Sequence, residues 1–221
     1  MFKLLLLLLF SCASFAGEVF TAFPSTIDAT QKYVFYSHGL IVEGINPRPV
    51  NLRWGTYEFP KIKAALADTD YNLIAYHRAN NTQPKVFAQK LASDVRLLIA
   101  KGVSAGNISL IGFSRGGAIT IMASNLLANN DVTYIILAGC GRYLQNNPEL
   151  DVYGNIYSIF ETSDDVGSCL FLINRSKGVK RFTEISISTD KEHGAFYTPI
   201  AEWVVPVKAW VKQSAHHSAA N

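Results

Sequence analysis

Residues 108–117 read Ile108-Ser-Leu-Ile-Gly112-Phe-Ser114-Arg-Gly116-Gly. This is an apolar β-type run that ends in Gly-x-Ser-x-Gly and continues into Ala118 to Asn129, where apolar residues recur at helical spacing. Val132 to Leu137 (Val-Thr-Tyr-Ile-Ile-Leu) then reads as the next strand, so Ser114 falls at the turn of a strand, turn, helix, strand unit. A hydroxyl that is to act as a nucleophile must stand proud of the backbone at such a turn. Residues without a Cβ let the chain pass close on either side of it, and Gly112 and Gly116 supply that space.

Outward from this unit the same alternation repeats. Strand-like runs fall at 33–37, 72–77, 108–113, 132–139, 156–161 and 182–188, and helical stretches at Phe59–Ala67, Pro84–Lys101, Ser114–Asn129 and Pro199–Lys212. Strands alternating with helices predict an α/β domain with a mostly parallel sheet covered by helices on both faces. Any ligand site then lies beyond the carboxyl ends of the strands. The Gly-, Asn- and Pro-rich interval from Gly139 to Asn155 is too short for a lid domain. With 221 residues, 49% of them hydrophobic, the chain suits one well-filled core.

The amino terminus carries Lys3, a purely apolar Leu4 to Phe10, and Ser14-Phe15-Ala16 with small residues where a signal peptidase reads. Residues 1–16 are therefore expected to be a signal peptide cleaved near Ala16, which makes 17–221 the domain and its location periplasmic or secreted. Seven apolar residues are too few to cross a bilayer, so no transmembrane segment is expected in the mature chain. Cys12, in Leu-Phe-Ser-Cys, offers lipidation as the lesser alternative. Loss of the leader leaves Cys140 and Cys169. Both follow strands that would be neighbours in the sheet, so one disulfide is expected in an oxidising compartment, with two separate buried thiols as the alternative. The net charge is +3 with the basic residues scattered, which gives no reason to expect nucleic acid as a partner.

A nucleophilic serine needs a general base, and the base needs a carboxylate to fix its tautomer. His193 follows a strand, in Asp190-Lys-Glu-His-Gly-Ala-Phe196, and is the preferred base. His38 and His77 also follow strands and compete with it. The run 156–161 leads into Thr162-Ser-Asp164-Asp165, so Asp164 is the preferred acid and Asp165 stays open as the alternative. Asp190 and Glu192 read as solvated loop charges, and His216 and His217 as part of a frayed tail. No Cys and His spacing suggests zinc, so neither a metal nor a cofactor is expected.

The order Ser114, Asp164, His193, each after a different strand, together with Gly112-x-Ser114-x-Gly116, resembles the α/β-hydrolase superfamily over residues 33–212. The resemblance implies an oxyanion hole formed by the backbone N–H groups of Arg115 and Leu40, although Leu40-Ile41-Val42 stands where lipases carry a glycine-rich run. Ser37-His-Gly-Leu-Ile-Val-Glu-Gly-Ile-Asn-Pro-Arg-Pro-Val50, followed by Arg53-Trp-Gly-Thr-Tyr-Glu-Phe59, looks like that of small, capless bacterial members. The implied activity is that of an exported serine hydrolase. It would cleave an ester, thioester or related acyl bond in a small-molecule or peptide-like substrate through an acyl-Ser114 intermediate. A catalytically inactive binding or envelope-associated protein of this fold, and an acyltransferase, are the alternatives. His38, Arg48 and Arg53 are candidates for substrate contact. With Arg115 beside the nucleophile, the arginines would favour an anionic substrate; otherwise they pair with Glu43, Glu58 or backbone carbonyls.

Overall fold

The computed structural model describes residues 17–213. In chain order the elements are β1 (Val19–Phe20), β2 (Tyr33–Ser37), β3 (Val50–Asn51), β4 (Gly55–Thr56), α1 (Phe59–Leu66), β5 (Asn72–Ile74), α2 (Pro84–Ala100), β6 (Ile108–Phe113), α3 (Arg115–Leu127), β7 (Thr133–Leu137), α4 (Arg142–Gln145), β8 (Tyr153–Glu161), α5 (Leu170–Arg175), β9 (Gly178–Ile187) and α6 (Ala201–Gln213). Seven strands form one sheet in the order β1-β5-β2-β6-β7-β8-β9, and every neighbouring pair is parallel. β3 and β4 form a separate antiparallel hairpin. The expected architecture is thus the one found.

Strand period sorts the core into two layers. Val34 and Tyr36 of β2 pack with α1 and α6 through Ile62, Leu66, Trp203 and Val207. Their neighbours Tyr33 and Phe35 point to the other face and pack with α2 and α3 through Leu91, Val95, Ile119 and Met122. β2, β6 and β7 are buried along their whole length, as strands covered on both faces must be.

Several boundaries differ from the expected ones: β7 ends at Leu137, not 139, β8 begins at Tyr153, not 156, and three further differences have a local reason. β5 stops at Ile74, not 77, because the chain leaves the sheet to bring Arg78 against residues 38–44, where Gly44 N–H donates to the Arg78 carbonyl (2.9 Å). β9 begins at Gly178, not 182, since its first residues form a half-exposed edge where Lys180 and Arg181 interrupt the apolar alternation. β1 adds a two-residue edge strand too short to show a period. Between β7 and β8 stands only α4 with its flanking loops, leaving no room for a lid.

Cys140, after β7, is bonded to Cys169, just before α5, with their Cα atoms 5.2 Å apart. The leader 1–16, Cys12, His216 and His217 lie outside the described residues. No helix among the described residues is long and apolar enough to cross a membrane.

Candidate active site

Ser114 sits between β6 and α3 with φ 54° and ψ −117°, a conformation that costs a non-glycine residue about 1–3 kcal/mol. The surroundings hold it there. Its N–H donates to Leu137 O (2.9 Å) and its carbonyl accepts from Ala118 N–H (3.0 Å). The turn closes because neither flanking glycine has a side chain. A Cβ on Gly116 would fall onto the Ser37 carbonyl of β2, and one on Gly112 onto Gly116 O and Thr120 Oγ1.

His193 lies in the 3-10 turn Glu192–Phe196 that follows β9. Its Nδ1–H donates to Asp164 Oδ2 at 2.6 Å, which leaves Nε2 as the ring's acceptor. Asp164 follows β8, and its other oxygen accepts from Val166 N–H (3.1 Å). Asp165 is exposed. Ser114 and His193 line the same cavity of about 420 Å³. One edge of the sheet therefore gathers the serine after β6, the acid after β8 and the histidine after β9.

Two groups not singled out in the sequence fix this arrangement. The Glu161 carboxylate, 1% exposed, accepts from Ser163 N–H (2.6 Å) and Oγ (2.5 Å) on its own loop, and from Thr189 N–H (2.8 Å) and Asp190 N–H (3.1 Å) on the histidine loop. It ties the two loops together. Burial pushes its pKa upward, but the hydrogen bonds from Ser163 and Thr189 outweigh that and hold it below the ordinary glutamate value. Trp54, on the β3–β4 hairpin, packs against the His193 ring with centroids 5.2 Å apart. Its Nε1–H donates to Glu192 Oε2 (2.9 Å). Glu192 is thus not the solvated charge expected, since it also receives Arg53 (Nε to Oε2, 2.6 Å) and is half-buried.

Leu40 opens the 3-10 turn Leu40–Val42, and Arg115 is the first residue of α3; with Ser114 they line a second cavity of about 480 Å³. The Arg115 N–H, in the first turn of α3, has no intrahelical acceptor, and the positive end of the helix dipole lies there. Leucine is accommodated at position 40 because its side chain is half exposed.

Beneath this turn lies a buried ion-pair chain. Arg78 Nη2 donates to the carbonyls of His38 (2.5 Å) and Gly39 (3.5 Å), and its Nε faces Glu43 Oε1 at 3.3 Å. The same Glu43 oxygen lies 3.5 Å from Arg115 Nε, and Arg115 Nη2 donates to Thr82 O (3.1 Å). Arg78 and Glu43 side chains are 0% and 3% exposed. Position 78 carries no sequence signal, because its partners, the Glu43 carboxylate and two main-chain carbonyls, lie 35 to 40 residues away.

The other candidates line neither of the cavities that Ser114 lines. His38 is fully buried: Nδ1 donates to Gly39 O (2.8 Å), Nε2 accepts from Arg78 N–H (3.0 Å), and desolvation followed by the Arg78 charge drives its pKa down to about 2. Both nitrogens are used within the fold. His77 donates from Nε2 to Val42 O (2.7 Å). Arg48 reaches Glu58 with two bonds (2.8 and 2.6 Å), and Arg53 reaches Glu192, so neither guanidinium is brought to the cavity that Ser114 shares with His193. No group of three or more His, Cys, Asp and Glu side chains suited to a metal occurs among the described residues.

No protein-family model matches this sequence, and no curated protein sequence is significantly similar to it. Solved structures do match in shape. Arabidopsis thaliana SOBER1 superposes with a TM-score of 0.56 at 13% identity, covering 84% of this chain and 99% of that one. An esterase B from Lactobacillus rhamnosis, inhibited by a tributyrin phosphonate, gives 0.57 at 11% identity over 87% of this chain and 79% of that one. A CIB-like hydrolase from Thermoplasma acidophilum gives 0.55 at 14% identity over 85% and 89%. At these identities the likeness speaks for the fold.

Proposed function

We infer that this chain, which has the α/β-hydrolase fold, is an exported serine hydrolase that cleaves an ester, thioester or related acyl bond. The observation that carries the reading is the His193 to Asp164 hydrogen bond at the rim of the cavity that His193 shares with the strained Ser114. With Nδ1–H held by Asp164, the imidazole presents Nε2 as the base, and Asp164 stabilises the imidazolium formed when the serine proton is taken. Ser114 Oγ then adds to the acyl carbon. The developing oxyanion is held by the N–H groups of Arg115 and Leu40, each worth about 3 kcal/mol when aligned. Collapse releases the leaving group with the proton from His193, and water repeats the sequence on the acyl-enzyme. Export rests on the leader-like residues 1–16 and agrees with the Cys140–Cys169 bond.

Labelling with a fluorophosphonate probe tests the reading. The wild type is expected to be labelled, Ser114→Ala and His193→Ala not, and Asp164→Asn to lose about 10⁴ in kcat while Asp165→Asn keeps it. Equal labelling of Ser114→Ala would remove the serine from the mechanism.

A further inference from the structure

Two cavities meet at the reactive serine, for Ser114 and Leu40 line both. The larger, about 480 Å³, passes Ala118 and Met122 of α3 and is lined further by Pro84, Ala138 and Val166, with Arg142 on its wall. The smaller, about 420 Å³, is walled by Trp54, Phe113, Tyr197 and Ile41 and contains His193. Resting on the serine-hydrolase reading, we propose that they divide an ester between them: an aliphatic acyl chain of medium length lies along α3, and an aromatic or arylalkyl alcohol lies against Trp54 and Tyr197.

Proton balance decides which arm goes where. Attack forms the Ser114 Oγ to carbon bond while His193 takes the hydroxyl proton. In the collapse the bond from carbon to the leaving oxygen breaks, its electron pair goes to that oxygen, and the proton returns from His193 to it. The leaving oxygen must therefore lie on the imidazole side, and His193 lines only the aromatic cavity. The acyl carbon stays on Ser114, so its chain takes the other direction, beside Arg115. Water then supplies the hydroxyl of the released acid, and its proton restores the serine.

The helix sets the length. Ala118 and Met122 are four residues apart on one face of α3, where the small side chain leaves room near the serine and the buried thioether closes the floor. From Ser114 to Met122 the helix rises ~12 Å, and because the Met122 side chain leans back toward the serine end by about 3 Å, the room left is the ~9 Å span of an extended octanoyl chain. On the other side, edge-on contact of Trp54 with Tyr197 (centroids 5.8 Å) presents aromatic walls that favour a ring over a short alkyl group.

The test is a matrix of unactivated esters, with acetyl, hexanoyl, octanoyl and dodecanoyl chains each on ethanol and on 2-phenylethanol. For the wild type, kcat/KM is expected to rise at least about tenfold from acetyl to hexanoyl or octanoyl and to fall at dodecanoyl. Phenylethyl esters should exceed ethyl esters by a similar factor at every chain length. Met122→Trp, or Ala118→Leu if the larger change fails to fold, should move the optimum to shorter chains while the phenylethyl to ethyl ratio holds. Ile41→Trp should erase that ratio and leave the chain-length optimum in place. A flat chain-length profile in a protein that fluorophosphonate labels, or an exchange of effects between the two sets of variants, would overturn the division while leaving the hydrolase reading standing. Absence of both labelling and hydrolysis would remove the hydrolase reading, and the division with it.

Discussion

Arg78 is the residue whose place is hardest to explain by stability alone. Its Nη1 and the Glu43 Oε2 are buried without a hydrogen-bond partner among the described residues, and a buried ion pair is weak evidence of stabilisation. What the guanidinium does is hold the carbonyls of His38 and Gly39, and so the turn that carries the Leu40 N–H. Arg78→Lys keeps the charge but not the planar fork. Under the proposed mechanism, in which the Leu40 N–H is an oxyanion donor and so acts mainly in the transition state, it is expected to lower kcat about 10- to 100-fold with KM little changed. Normalising rates to the fluorophosphonate-reactive fraction separates this from loss of folded protein. His38 makes a second prediction, about pH. In the unfolded chain it takes a proton below 6.5, whereas in the fold it stays neutral to about 2. Between those values the unfolded state binds more protons, so the stability due to His38 is complete above 6.5 and is lost as pH falls, by about 1.4 kcal/mol per unit. Urea titrations at pH 7 and 5 should show the wild type losing about 2 kcal/mol more than His38→Gln.

Among the elements, the loops after the strands are held by devices of different legibility. The serine turn was readable because its requirement is written in local glycines, and Asp164 and His193 because each follows an evident strand. Glu161 and Trp54 were not, for their work lies in contacts to the histidine loop formed only when β8, β9 and the β3–β4 hairpin come together. α4 and α5 are four and six residues long, too short for a helical period to emerge. The segment 138–152, which contains α4, is held instead by Cys140–Cys169 and by Arg175 at the end of α5, whose Nη2 donates to the carbonyls of Leu144 (3.1 Å), Asn147 (3.1 Å) and Leu150 (2.9 Å). The bridge closes 29 residues of sequence. Its reduction is expected to cost about 3–4 kcal/mol of stability. A denaturant titration with and without reductant checks this, with Cys140→Ser/Cys169→Ser as the reference.

At the scale of the whole molecule, alternation of strand and helix was enough to give the parallel sheet, and where its edges lie was not. Edge strands are short or charged, so β1 and the first half of β9 lack the apolar pattern that marks β2, β6 and β7. The parallel order also sets a polarity, with Ser114, Asp164 and His193 beyond the carboxyl ends of the strands. Both described ends of the chain lie at the opposite edge. Gly17 N–H donates to Thr69 O just before β5, and Lys212, near the end of α6, is paired with Asp68 and Asp70 beside it. A fusion or surface attachment joined at either end would thus hold the molecule by its base with the mouth outward. Protein immobilised through either end is expected to keep its kcat/KM toward a soluble ester, measured against the free protein, whereas coupling through a cysteine placed at Arg142, on the cavity wall, should silence it.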